Sequence, residues 1–291
     1  MFPRAVYNSR ICDIINVERL REFVLSRRND DGGFTFCKQL PSTLPETFYA
    51  VYILTSIGDE VPDKEKLVEF LRNSIRTEPY SIFYTLNSLN LLSEKLLDVS
   101  DLLFNRLEKI TKVVPREFGS EIGTTATYSF DMPNVLKGVY ILTSSLRLLG
   151  KEIPDEVKDF IMKFRKNGGF GIASPNLQET YYCVSVLGNV IERANSVVSF
   201  VREHECQGGG FTKVPNGYPP YLEDTYYAVS CFCVLGYDYA SEKTARYISA
   251  LQNPDGGFRR SIHGGISSLE YTYYAVASLV LPEESIGNLR E

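Results

Sequence analysis

One local pattern returns four times along the chain and constrains the fold more than any other feature. Each copy has a Gly-Gly-Phe turn, a short irregular loop, and then an acid or Tyr followed by Thr and an apolar run. The turns are Gly32-Gly33-Phe34, Gly168-Gly169-Phe170, Gly209-Gly210-Phe211 and Gly256-Gly257-Phe258. They lead to Glu46-Thr47, Glu179-Thr180, Asp224-Thr225 and Tyr271-Thr272. A unit that recurs in this way predicts a repeat protein.

The spacing of the turns predicts six units. Phe170, Phe211 and Phe258 lie 41 and 47 residues apart, while Phe34 and Phe170 are 136 residues apart, which is about three periods. Two more turns are therefore expected, one near Tyr80 and one at Glu117-Phe118-Gly119. Because the units span nearly all of the chain, residues 1–291 are predicted to form one domain.

Each unit can be filled by two helices. Those expected before the turns are 17–28, 63–75, 100–112, 154–166, 195–205 and 241–252. Those expected after the turns are 45–57, 79–93, 133–149, 177–191, 222–236 and 268–280. No segment alternates with a period of two, so no sheet is predicted.

The two helix sets differ in their apolar surface. The helix at 63–75 is apolar on one side only, whereas 226–235 is apolar or small all round and must be buried. Six buried helices alternating with six amphipathic ones predict an all-α fold, an α/α toroid of six inner and six outer helices. An open superhelical array is the alternative, and the closed count of six pairs favours the toroid.

Composition narrows the classes of protein. The formal net charge of −5 argues against nucleic-acid binding through a basic surface. No run of 18 apolar residues occurs and the start has no signal-peptide core, so we expect no membrane span and a cytoplasmic protein. The 19 Tyr and 17 Phe without any Trp speak against a carbohydrate enzyme.

The segment Leu251-Gln252-Asn253-Pro254-Asp255-Gly256-Gly257-Phe258, followed by 270–276, resembles the repeat of two related families. These are the β subunits of protein prenyltransferases and the class II terpene cyclases of the squalene–hopene type. The segment from Gly209 to Tyr227 looks especially like a late repeat of a geranylgeranyltransferase β subunit. The resemblance implies an α/α toroid whose inner helices line an aromatic cavity for an isoprenoid.

The prenyltransferase resemblance also implies a zinc site with an Asp, a Cys and a His. In this chain those places fall on Tyr221, Glu223 and Tyr271. Two tyrosines and one glutamate are a poor ligand set for zinc. We therefore predict neither a metal site nor another cofactor.

The cyclase resemblance implies a D-x-D-D-T motif whose middle Asp protonates an alkene or epoxide. Tyr221-Leu222-Glu223-Asp224-Thr225 falls on that motif and keeps two acids and the Thr, but not the first Asp. Glu223 and Asp224 are thus the candidate catalytic acids, since burial and a neighbouring carboxylate keep an acid protonated. The alternative is that acids at this place only complement the helix dipole, as Glu46 and Glu179 would.

Two further groups are candidates for substrate binding. One repeat position carries aromatic rings that suit a polyprenyl chain or a carbocation, although core packing explains them equally well; its members are Tyr49, Tyr182, Tyr227 and Tyr274. Tyr221 and Tyr271 join them through their places in the motifs. The loops after the last two turns carry basic residues that could bind a diphosphate, namely Lys213, Arg259, Arg260 and His263.

These features predict a protein that binds an isoprenoid or another hydrophobic small molecule in a central aromatic cavity. Its chemistry would be prenyltransferase-like or terpene-cyclase-like. The alternative is a toroid without catalysis that binds a lipid or a partner protein. A partner subunit is also expected under the prenyltransferase reading, because the β subunits of that family work with an α subunit.

Overall fold

The computed structural model describes residues 11–113, 134–188 and 194–287, with the side chains of 113 and 283–287 excepted. The predicted turn at Glu117-Phe118-Gly119 and the long polar connection 119–132 lie outside these residues. Within them no helix is long and apolar enough to cross a membrane.

In the described part of the chain, six inner helices close into a ring. They are α3 (Leu44–Ser56), α5 (Pro79–Leu91), α7 (Val135–Leu148), α9 (Leu177–Leu187), α11 (Leu222–Val234) and α13 (Leu269–Gly287). Each packs against the next, and α13 packs against α3. The prediction of a closed toroid is therefore confirmed, and the open array is wrong.

The outer helices surround this ring. They are α2 (Val17–Leu25), α4 (Lys64–Ser74), α6 (Ser100–Val113), α8 (Asp155–Met162), α10 (Ala194–Arg202) and α12 (Glu242–Ser249), with a short α1 (Ile11–Ile14) ahead of them. Hydrogen bonds between the first and last units close the outer layer: Gln252 exchanges two with the backbone of Asn16, and Ser249 donates to the carbonyl oxygen of Ile14.

Several outer helices end about three residues earlier than the sequence predicts. The residues just before a Gly-Gly-Phe turn leave the helix because they pair with the Phe backbone across the turn, as Arg28 pairs with Phe34 and Gln252 with Phe258. In the fourth unit, after α8, the pairing is a two-stranded sheet, β1 (Arg165–Lys166) with β2 (Gly169–Phe170). The prediction of no sheet is wrong here, since two-residue strands are too short to show an alternating pattern.

The recurring Thr explains why the turn and the inner helix appear together. The Phe N–H of each turn donates to the Thr hydroxyl that opens the following helix: Phe34 to Thr47, Phe170 to Thr180, Phe211 to Thr225, and Phe258 to Thr272, at 3.0–3.1 Å. All four Phe side chains are fully buried. The pattern is thus a structural device that fixes the start of the inner helix.

The first Gly of a turn allows an outer helix to approach closely. Gly209 has φ +94°, and a Cβ on it would lie 2.3 Å from the carbonyl oxygen of Lys243, in the following outer helix. Gly256 has φ +91° and touches the backbone of Arg19 in the same way, which brings the last turn onto the first outer helix. Only Gly meets both demands without strain.

Aromatic rings fill the middle of the toroid as a continuous belt. One ring from each inner helix contacts a ring on the next, with centroids 5.3–6.3 Å apart, until the circle closes. The members of this aromatic belt are Phe48, Phe83, Tyr140, Tyr181, Tyr226 and Tyr273. The tyrosine hydroxyls form a buried chain, in which Tyr140 lies 3.0 Å from Tyr181 and Tyr226 lies 2.9 Å from Tyr273.

Candidate active site

A cavity of about 320 Å³ opens where three successive inner helices begin. The first turns of α9, α11 and α13 supply most of its wall, and two loop residues complete it. The lining residues are Asn176, Leu177, Gln178, Lys213, Tyr221, Glu223, Asp224, Tyr227, Arg260, Glu270, Tyr271 and Tyr274. No belt residue is among them, so the cavity ends above the aromatic belt.

Glu223 is held as an ion pair by a residue of the next loop. Arg260 Nε donates to Glu223 Oε1 at 2.6 Å, and Nη2 of the same guanidinium pairs with that oxygen. The guanidinium lies over the ring of Tyr221, with 4.3 Å from Cζ to the centroid. The Arg260 carbonyl oxygen also accepts from the Leu222 N–H at 3.1 Å, which fixes the loop to the start of α11. Glu223 is therefore fixed in place by a charge-assisted contact with Arg260.

Asp224 is in the opposite situation. Its side chain is buried at 9% exposure, and among the described residues no hydrogen bond to its carboxyl is found. Burial, reinforced by the negative charge of Glu223, raises the pKa of Asp224 to about 7, against the smaller lowering effects of Lys213 and Arg260. At neutral pH a substantial fraction of this carboxyl carries a proton.

Glu179 shows what an acid at the same repeat position does when its role is structural. Its carboxylate accepts from the N–H of Ile172 at 3.0 Å and from the side chains of Asn176 and Asn134 at 2.9 and 2.7 Å. Those bonds tie α9 to its preceding loop and to α7. The reading of these acids as generic helix-start residues therefore fits Glu179 better than Asp224.

One acid that was not a candidate from the sequence also lines the cavity, and it acts on the acid that opens α3. Glu270 lines the cavity and accepts from the Tyr274 hydroxyl at 3.0 Å. Burial raises the pKa of Glu46 to about 7. The negative charge of Glu270 adds to this effect, and the positive charge of Arg27 opposes it. Glu270 stands two residues before the recurring Thr, as Glu223 does, and this shared position was the signal that could have found it.

The cavity floor is a hydrogen-bonded set of phenols. Gln178 Nε2 donates to the Tyr227 hydroxyl at 2.8 Å and to the Tyr182 hydroxyl at 3.0 Å. Tyr227 and Tyr274 face the cavity, with their ring centroids 6.1 Å apart. Burial raises the pKa of both phenols, so they remain neutral. The floor offers π faces and hydroxyl groups to a ligand.

Most of the candidates from sequence meet at this cavity, and four do not. Those that line it are Glu223, Asp224, Tyr221, Tyr227, Tyr271, Tyr274, Lys213 and Arg260. Tyr182 and Tyr49 lie behind the lining, within the packed rings.

Two of the basic candidates also lie away from the cavity. Arg259 donates to Asn253 Oδ1 and to the carbonyl oxygens of Ala250 and Ser261. His263 packs on the ring of Tyr218. The expected four-residue basic group is thus reduced to Lys213 and Arg260 at the cavity.

The residues at the prenyltransferase zinc positions do not suit zinc. Glu223 is already paired with Arg260, and Tyr221 lies beneath the same guanidinium, whose positive charge opposes a cation there. Tyr271 adds only a phenol with a raised pKa. Among the described residues no three His, Cys, Asp or Glu side chains gather as metal ligands would.

Comparison with known proteins agrees with the fold. A variant of the type II terpene cyclase MstE from Scytonema, solved with its substrate geranylgeranyl dihydroxybenzoate, superposes with a TM-score of 0.59 at 13% identity over 92% of this chain and 97% of that one. The same cyclase without ligand gives 0.58 at 13% identity, over 92% and 98%. A protein from Actinoplanes gives 0.57 at 14% identity, over 93% and 98%.

The sequence itself matches one family. The prenyltransferase alpha-alpha toroid domain matches residues 8–80, 123–194 and 190–287, which together are well over half of the chain. These segments include all four Gly-Gly-Phe turns and the helices that frame the cavity. The chain therefore belongs to the prenyltransferase alpha-alpha toroid domain family.

Proposed function

We propose that the protein binds an isoprenoid at the cavity and starts its cyclisation by protonating an alkene, with Asp224 as the proton donor. The observation that carries the proposal is the contrast between neighbours: Glu223 forms an ion pair with Arg260, whereas burial and the adjacent Glu223 charge raise the pKa of Asp224 to about 7. In the motif of the cyclases the donor is the middle acid, which is Glu223 here. The proposal therefore exchanges the roles of the two acids.

The chemistry balances as an isomerisation. The Asp224 proton forms a new C–H bond at the alkene, and the adjacent carbon becomes a cation while Asp224 becomes a carboxylate. The faces of Tyr227 and Tyr274 and the nearby carboxylates stabilise the cation, each aromatic face by about 0.5–2 kcal/mol. Ring closure moves the cation along the chain, and loss of a proton to solvent or to a carboxylate ends the reaction.

The size of the cavity limits the substrate. Its volume of about 320 Å³ is at the lower end of the 300–1,000 Å³ common for ligand pockets. A short isoprenoid, or the reacting end of a longer one, fits this space without displacing the aromatic belt. The substrate geranylgeranyl dihydroxybenzoate of the Scytonema cyclase is a useful first compound to test.

The test is turnover in D₂O. Acid-initiated cyclisation places one deuterium from the exchanged Asp224 carboxyl on a stable carbon of the product, which mass spectrometry detects. We expect Asp224→Asn to abolish this product. The control is Glu179→Gln, which changes an acid at the same repeat position but outside the cavity. The folded Glu179→Gln protein should still form the product. Cyclised product without deuterium, or unchanged turnover in Asp224→Asn, would show that the assignment is wrong.

A second candidate function is binding without chemistry. The packed aromatic belt favours it, because its rings fill the middle of the toroid. A long isoprenoid therefore has little space in which to fold for cyclisation. Native mass spectrometry separates the two functions when the protein is measured before and after incubation with an isoprenoid. The compounds to use are geranylgeranyl dihydroxybenzoate and a prenyl diphosphate. A bound isoprenoid that returns unchanged supports binding alone, whereas release of diphosphate from a prenyl diphosphate supports a transferase.

A further inference from the structure

Exposed large apolar side chains are concentrated on three loops. Among the described residues eight such side chains are exposed, and six of them lie between a Gly-Gly-Phe turn and the inner helix that follows. They are Phe36 and Leu40 in the first loop (35–43), Val214 and Tyr218 in the second (212–221), and Ile262 and Ile266 in the third (259–268). Their exposed fractions run from 40% to 72%. Met162 and Tyr237, the other two, are 37% and 38% exposed and lie elsewhere.

The three loops are neighbours in space. They precede α3, α11 and α13, which are consecutive in the inner ring because α13 packs between the other two. Tyr218 of the second loop contacts the His263 ring of the third, with centroids 5.7 Å apart. Lys213 and Arg260 of these same loops line the cavity. The six apolar side chains thus occupy one arc of the rim, beside the cavity mouth.

Each loop presents its two apolar side chains by the same means. In every loop the pair is four residues apart, and a residue with positive φ lies between the two members. Gln39 has φ +77°, Asn216 has φ +57°, and Gly264 and Gly265 have φ +104° and +135°. Such residues turn the chain sharply, so both side chains of a pair stand near the tip of their loop.

The charged side chains that belong to the three loops are all basic, whereas the chain as a whole is acidic. None of the three loops contains Asp or Glu, whereas the chain as a whole has a net charge of −5. Lys38 and Lys213 are exposed on the first two loops. Acids lie at the bases of two loops, where Asp31 accepts from the Ser42 hydroxyl at 2.8 Å and Asp255 from the Ser267 hydroxyl at 2.7 Å. Glu223 is paired with Arg260. The tips are therefore apolar and carry positive charge beside them.

We propose that these three loops dock the protein on the surface of an anionic lipid bilayer. Stable attachment to a bilayer needs two signals. One is the insertion of apolar side chains into the headgroup region, and the other is the attraction of lysines to anionic lipids. Separate loop tips suit a deformable lipid surface better than the flat, closely packed face of a protein partner. In this orientation the cavity mouth faces the bilayer, so an apolar ligand enters without crossing water. The docking surface does not depend on the proposed chemistry.

The test is sedimentation of the purified protein with vesicles of phosphatidylcholine, with and without phosphatidylserine. We expect binding to the vesicles that contain phosphatidylserine and little binding to the others. Tyr218→Ser/Ile266→Ser should weaken it by about tenfold or more, because two exposed apolar anchors are lost. Lys38→Glu should also weaken binding, since one attraction becomes a repulsion, and its difference from wild type should shrink as the salt concentration rises because salt screens both.

Met162→Ser is the matched control, because it removes a comparably exposed apolar side chain on the outer layer and should leave vesicle binding unchanged. Circular dichroism shows that each variant is folded. The proposal is overturned if the protein binds no vesicles, or if Met162→Ser weakens binding as much as the loop variant does. It is also overturned if Tyr218→Ser/Ile266→Ser abolishes self-association of the protein while leaving vesicle binding intact, which would assign the patch to a second copy of this chain.

Discussion

Arg260, in the loop before α13, and Glu223, in the first turn of α11, form an ion pair between two repeats, with 2.6 Å between Nε and Oε1. The next residue in the chain is a buried carboxyl, and burial opposes its ionisation, with the negative charge of Glu223 adding to this effect. Asp224 is that residue, and its pKa is raised to about 7. The asymmetry between two adjacent acids is the main chemical feature of the cavity, and it leads to the first prediction.

We expect Asp224→Asn to stabilise the protein at alkaline pH. The Asp224 carboxyl has a pKa of about 7 in the folded protein and 3.8 as its reference value, so the folded state binds the proton more tightly. This group's contribution to stability is therefore full below about pH 4 and is lost as the pH rises through 7. After allowance for water in the cavity, the loss is about 2–4 kcal/mol.

The measurement is the free energy of unfolding by urea at pH 5 and pH 8. The difference between wild type and Asp224→Asn should grow with pH in favour of the variant. A difference that stays constant between the two pH values would mean that Asp224 ionises normally. Glu179→Gln serves for comparison, because its carboxylate accepts three hydrogen bonds and its loss should destabilise the protein at pH 8.

The second prediction concerns the Thr of the repeated pattern. Thr225→Val should destabilise the protein by about 1–3 kcal/mol, because the buried Phe211 N–H loses its acceptor and gains no other. Thr225→Ser keeps the hydroxyl and should lose much less. Urea unfolding of the two variants provides the measurement, and equal stability of Val and Ser would show that the hydrogen bond contributes nothing.

The third prediction separates two adjacent glycines. Gly209→Ala should cost at least about 2 kcal/mol, since its φ of +94° is strained for Ala and the new Cβ would lie 2.3 Å from the carbonyl oxygen of Lys243. Gly208→Ala should be nearly neutral, because nothing lies within 4 Å of a Cβ at that position. The midpoint of thermal unfolding distinguishes them. Similar midpoints for the two variants would contradict the role assigned to the first Gly of the turn.

Much of this fold was predictable from the sequence, because its signals are local and repeated. The Gly-Gly-Phe turns and the opening Thr residues recur at nearly constant spacing, and the apolar periods of the helices separate an inner from an outer set. The short pairing of Arg28 with Phe34 was missed because it involves too few residues to leave a pattern. Confirmation of the closed ring needed the contact of α13 with α3.

The candidate site was predictable only in part, because its chemistry depends on contacts between repeats. Sequence placed Glu223 and Asp224 at the start of one helix, yet it could not show which acid Arg260 would pair with. Arg259 and Arg260 look alike in sequence, and only one turns towards the cavity. Glu270 was overlooked because acids opening a helix are ordinary, although its neighbours make it part of the wall.

The last prediction concerns Lys213, whose positive charge lowers the pKa of Asp224 against the stronger effects of burial and Glu223. Replacing it with an uncharged side chain, as in Lys213→Met, should raise the pKa of Asp224 above 7. If Asp224 is the proton donor, its protonated fraction then persists to higher pH, and the alkaline limb of the pH–rate profile moves upward. The pH range over which ionisation of Asp224 destabilises the folded protein should also move upward. Lys38→Met, which removes a lysine that does not line the cavity, should leave both profiles in place. An unchanged alkaline limb in Lys213→Met, alongside a shifted stability profile, would show that Asp224 titrates as described but is not the group that limits the rate.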